Sequence, residues 1–154
     1  MKTRKTYALL AGLVSIVAFV LMSFAPKGGH SYTIHVNHKQ VSEQYLTDSF
    51  VTPMLTLTSD DLKGTLSIYF NECGEIGKSR KLILKDASQK TLNEWSYANS
   101  STRHDPMEIS LKDVSAMLAS GKVALYYISE RVTKPQILTS LILAGSKGKA
   151  TSSR

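Results

Sequence analysis

The sequence predicts a mainly β fold: an antiparallel β-sandwich or Greek-key barrel of about seven to nine strands with one short helix, preceded by an N-terminal apolar helix. Three observations predict it. Between His30 and Leu143 apolar residues recur at every second position in short runs, the spacing of strands with one dry and one wet face. Clusters of Asn, Asp, Ser and Gly separate these runs, and such residues favour turns. Only residues 110–121 carry a helical pattern of start signal, apolar spacing and closing glycine. An α+β arrangement is the alternative class.

The chain opens on the N-terminal element. Ala8 to Ala25 is a run of eighteen residues without a charge, preceded by Lys2, Arg4 and Lys5. Such a run is long enough to cross a hydrocarbon core as a helix. A basic start, an apolar centre and small residues at the exit also describe a secretory signal peptide. Ser23-Phe24-Ala25 has the shape of a cleavage site, but Pro26 follows it directly. Proline has no N–H and a fixed φ, which suits an extended protease-bound peptide poorly. Residues 1–25 are therefore a signal peptide or a membrane anchor. In either case the basic residues favour the cytoplasmic side, so residue 26 onward is expected on the periplasmic or extracellular face. Residues 26–143 form the exported domain, and the Gly/Ser/Lys-rich residues 144–154 are expected to be a disordered basic tail.

Within the domain, Tyr32, Ile34 and Val36 share one strand face, with Thr33 and His35 on the other. Asn37-His38-Lys39 is a turn candidate, Gln40-Val41 begins a return strand, and residues 42–50 fit no pattern. Leu55 and Leu57 alternate with Thr56 and Thr58, and Ser59-Asp60-Asp61 supplies turn chemistry. Leu66, Ile68 and Phe70 against Ser67, Tyr69 and Asn71 give the strongest strand pattern. A strand from Arg80 to Lys85 points Leu82 and Leu84 inward, and Asp86–Gln89 loops into a strand over Thr91–Tyr97. There Trp95 and Tyr97 share a face opposite Leu92 and Glu94. Met107, Ile109 and Leu111 alternate briefly. Ser110 and Asp113 then match a capping box for a helix burying Val114, Met117 and Leu118 and ending at Gly121. Lys122–Ser129 is apolar on both faces, as a central strand is, and Ile137–Leu143 closes the domain.

Charge and composition restrict the function classes. The net charge of +7 comes largely from the two ends: residues 26–143 carry 13 Lys/Arg against 12 Asp/Glu. A folded face without excess positive charge does not suggest a nucleic-acid binder. The sole cysteine, Cys73, allows no intramolecular disulfide and is expected to be buried. No Gly-x-Ser-x-Gly elbow, P-loop or dinucleotide fingerprint is present. The sequence thus suggests a non-enzymatic, cofactor-free module that binds a protein partner or an envelope polymer.

Its candidate binding residues are of two kinds. Trp95, Tyr97 and Tyr126 (with Tyr127 beside it) could stack on sugars or on a partner's side chains from an open sheet; core packing is the competing role. Lys78, Arg80 and Lys81 could meet phosphate or acidic glycans, or simply form a solvated strand edge that discourages pairing. The alternative function is a small metal-binding or redox-linked envelope protein using His35, His104 and Cys73, since imidazole and thiolate are metal donors. Asn99-Ser100-Ser101 is a formal glycosylation sequon.

Overall fold

The structure is a computed structural model that describes residues 29–47, 49–102 and 105–145. The expected N-terminal apolar helix, His104 and nearly all of the basic tail lie outside the described residues. Among the described residues, nine strands form two sheets, with one α-helix and one 3-10 turn. The strands are β1 (Ser31–Val36), β2 (Lys39–Tyr45), β3 (Met54–Leu57), β4 (Thr65–Asn71), β5 (Lys81–Asp86), β6 (Thr91–Ser96), β7 (Met107–Ser110), β8 (Val123–Ile128) and β9 (Gln136–Leu143); α1 (Leu111–Ala119) joins β7 to β8. One sheet has the order β2-β1-β4-β7 and the other β3-β9-β8-β5-β6.

The alternation read from the sequence decides which faces meet. Tyr32, Ile34, Val36, Leu66, Ile68 and Phe70 of the four-stranded sheet share one core with Leu57, Leu82, Leu84, Leu125, Tyr127 and Leu141 of the five-stranded sheet. Aromatic contacts bridge the layers: the Phe70 and Tyr127 rings stack with centroids 4.0 Å apart. The Tyr32 hydroxyl donates to the Leu138 carbonyl across the core. Leu138 is the extra residue of a bulge, since Leu125 pairs with Thr139 and Tyr126 with Ile137. Leu111, Val114 and Leu118 of α1 are fully buried on the same core.

Turn chemistry sets the hairpins. Asn37 and His38 both adopt positive φ, 51° and 66°, the geometry of a two-residue turn whose twist matches its strands. The Asn37 side chain also accepts from the Thr65 amide at 2.9 Å. That contact requires Gly64, where an added Cβ would lie 1.6 Å from Asn37 Oδ1. At the other hairpin, Asp86 Oδ1 accepts from the Ser88 amide, the Ser88 hydroxyl and the Lys90 amide at 2.6–3.0 Å.

Five expectations are corrected. β3 pairs with β9 in parallel, so the five-stranded sheet is mixed rather than wholly antiparallel. The return strand β2 runs on to Tyr45, through residues whose side chains are mostly exposed and therefore show no alternation. Ser110 makes no side-chain cap on α1; it is the last residue of β7, and the helix starts directly from the strand. Leu92 does not point away from Trp95: a bulge between Leu84/Lys85 and β6 breaks the alternation, and both side chains pack on the core. Cys73 is exposed, because the chain has left β4 and turns there with φ 53°.

The four edge strands share one property. β2 carries a bulge at Val41, where Ile34 pairs with Ser42 and His35 with Gln40. β6 carries the bulge at Leu92. β3 and β7 have four residues each and follow Pro53 and Pro106 closely. Bulges, short length and proline each obstruct the addition of another strand.

Candidate binding surface

The six residues singled out from the sequence separate into three environments. Trp95 on edge strand β6 and Tyr97 just past its end pack half-buried against the core. The Tyr97 hydroxyl donates to the Glu108 carbonyl at 2.8 Å, tying β6 to β7 of the other sheet. Burial pushes this phenol up to about 12. Both residues therefore close one flank of the two layers and offer little ring surface to a ligand.

Arg80 is buried, at 6% exposure. Its Nε and Nη2 donate to the Ala98 carbonyl at 3.1 and 3.0 Å, and its Nη1 donates to the Asp105 carbonyl at 2.9 Å. A guanidinium so engaged organises the 98–105 loop and is not a surface cation. The expected solvated strand edge is also corrected, since β5 lies between β8 and β6. Lys78 is exposed beside Glu75, Ile76, Glu130 and Arg131. Lys81 forms an ion pair with Glu94 across the β5–β6 ladder at 2.8 Å.

Tyr126, also half-buried, faces away from the core. Leu125 and Tyr127 on either side of it are fully buried, so the pleat turns Tyr126 outward from the five-stranded sheet. Register places it beside Ile83 of β5 and Ile137 of β9. Its hydroxyl hydrogen-bonds the Gln89 side chain at 3.1 Å, and Lys85 Nζ stands 5.1 Å from its ring centroid. The ring forms one wall of an open concavity of about 230 Å³. Asp86, Gln89, Lys122, Ile137 and Ser140 are among the other residues that line it. The Ser88 hydroxyl and the Lys90 amide hold the Asp86 carboxyl below the usual carboxylate range. Of the sequence candidates, Tyr126 and Lys81 share this outward face; Trp95, Tyr97 and Arg80 do not join them.

The metal alternative distributes differently. His35 lies over the Tyr69 ring, centroids 4.9 Å apart, opposite Ser67 on β4. Cys73 sits six residues farther along that chain, roughly 15–20 Å away at the rise of an extended strand. The imidazole next to Cys73 is His30, with Nδ1 3.6 Å from Sγ. Among the described residues, no three His, Cys, Asp or Glu side chains converge in a metal-like group.

One buried polar pair was not visible in the sequence. Glu72, 1% exposed, accepts a short hydrogen bond from the Tyr127 hydroxyl through Oε1. Its Oε2 has no hydrogen-bond partner among the described residues. Burial, reinforced by the bond to Glu72, pushes the Tyr127 phenol well above its ordinary value. Strand alternation alone would have placed Glu72 on the same inward face as Phe70, but a carboxylate there is not suggested by its residue type.

No protein-family model matches the chain, and no curated protein is significantly similar to it.

Proposed function

We propose that the chain is a non-enzymatic module that binds an envelope polymer through the outward face of its five-stranded sheet. Its N-terminal segment would carry the domain to the periplasmic or extracellular side of the cytoplasmic membrane. We read the domain as a β-sandwich rather than a barrel, because its two ladders are separate and each ends in edge strands. The observation that carries the reading is the concavity beside Tyr126. It combines an aromatic wall with the amide of Gln89 in the β5–β6 loop, the hydroxyl of Ser140 on β9 and the ammonium of Lys122 just before β8, the mixture that a polyhydroxylated ring engages by stacking and hydrogen bonding. Its volume falls below the roughly 300 Å³ at which small-molecule pockets begin. An open, shallow site suits one unit of a longer chain better than an enclosed small molecule.

The test is binding of the full chain, in nonionic detergent, to polymer prepared from the host envelope. Tyr126→Ala is expected to weaken binding by at least about tenfold, consistent with loss of an aromatic contact, while the thermal midpoint stays within a few degrees. Absence of binding by the wild type, or equal binding by the variant, would contradict the reading.

A protein partner is the second reading, favoured by a different observation. Val41, Tyr45, Val51 and Met54 are exposed at 42–80% along the flank formed by β2 and the segment leading into β3. Scattered exposed apolar residues are ordinary, but four large ones within residues 41–54 suit an interaction surface. Tyr45→Ser with Val51→Ser should abolish capture of such a partner and leave polymer binding unchanged.

A further inference from the structure

The charges around the Tyr126 concavity narrow what it takes. Lys122 is exposed on its rim, and Lys85 holds its ammonium over the Tyr126 ring. Neither lysine forms an ion pair among the described residues. Lys81, on the same face, is neutralised by Glu94. The carboxylate on the rim, Asp86, is directed into its own loop, where Oδ1 takes three donors from Ser88 and Lys90. Two ammonium groups outside any ion pair among the described residues thus flank an aromatic wall and a set of hydrogen-bonding side chains, and with the single negative charge of Asp86 they leave the rim net positive.

We propose that the ligand is an anionic carbohydrate, a polymer whose sugar units carry acidic groups. This inference rests on the polymer-binding reading above and names its substrate class. The sugar ring lies against Tyr126, and its hydroxyls meet Gln89 and Ser140. Its anionic group lies between Lys122 and Lys85. Lys85 is positioned to move from the ring to the anion, because a cation over an exposed aromatic face is held more weakly than a charge-assisted hydrogen bond holds it. The interaction is electrostatic at an open surface, so it weakens as salt screens it.

The experiment compares the full chain, in nonionic detergent, on two probes: polygalacturonate and neutral dextran. Polygalacturonate is expected to bind at least about tenfold more tightly, with the preference shrinking as salt rises from about 50 to 500 mM. The double variant Lys85→Ala with Lys122→Ala should lose that preference, and Lys85→Arg with Lys122→Arg should keep it. Thermal melts of both variants check that folding is intact. Equal binding of the two probes would overturn the anionic inference while leaving the polymer reading standing. Binding to neither overturns both. A preference that survives the double alanine variant also overturns the proposal, because the charge responsible would then lie elsewhere on the chain.

Discussion

At the scale of single residues, three neighbouring basic side chains illustrate how position overrides residue type. Arg80→Ala removes three part-buried hydrogen bonds to the Ala98 and Asp105 carbonyls together with the packing of a buried side chain. Chemical denaturation should report a loss of about 2–4 kcal/mol. Lys78→Ala, at an exposed position, should change stability by no more than about 0.5 kcal/mol. Nothing in the Lys78-Ser79-Arg80-Lys81 sequence distinguishes the two, because the acceptors for Arg80 come from residues 18 and 25 positions away. Glu72 was illegible for the same reason: its donor, Tyr127, lies 55 residues along the chain. Tyr127→Phe should cost about 1–3 kcal/mol by leaving a buried carboxyl with no donor, and a stability unchanged within error would contradict the assigned bond. Tyr32, Ile34, Val36, Leu66, Ile68 and Phe70 were legible because strand alternation is local, and all six are buried as expected.

At the scale of elements, turns and loops carry the next set of constraints. Gly64→Ala places a Cβ on the Asn37 amide oxygen and should destabilise the β1–β2 hairpin and its junction with β4 by about 1–3 kcal/mol. Hydrogen exchange should show the loss first in the amides of residues 37–45 and 65. The acid dependence belongs to the loops. The Thr102 hydroxyl, then the Ser101 amide and hydroxyl, hold the Asp105 carboxyl far below the carboxylate range. Asp61 and Asp86 are lowered by the Thr58 and Ser88 hydroxyls respectively. A carboxyl whose folded pKa is depressed contributes stability above its unfolded value and loses it as pH falls toward the folded value. The thermal midpoint should therefore decline as pH drops below about 4, where unfolded aspartate titrates, and Asp105→Asn should decline less steeply. Both hairpins, β4, the helix and central strand β8 could be read from turn residues and periodicity. The parallel β3–β9 pair could not, since its residues are 86 positions apart and alternation carries no information about strand direction. The edge bulges at Val41 and Leu92 were hidden likewise, because each depends on a partner strand.

At the scale of the whole molecule, two layers share a core and all four edge strands are bulged or short, which obstructs strand addition at the edges. The chain should remain monomeric by sedimentation under conditions where strand-edge assembly would give concentration-dependent oligomers. Export is argued from Lys2, Arg4, Lys5 and the apolar run, outside the described residues. Among the described residues no helix is long and apolar enough to cross a membrane. Fusing residues 1–29 to a reporter enzyme active only outside the cytoplasm should give active reporter. Of the proposed face the sequence singled out Tyr126 and Lys81; Lys85 and Lys122 were not among its candidates. The lysines beside Tyr126 belong to β5 and the start of β8, a juxtaposition that only sheet order creates. On the proposed reading, this outward face is where the module meets its polymer. Hydrogen–deuterium exchange of the full chain, with and without host envelope polymer, tests it most directly. Protection confined to residues 83–89, 122–128 and 137–142 is the predicted result; protection at 41–54 with none on this face would contradict it.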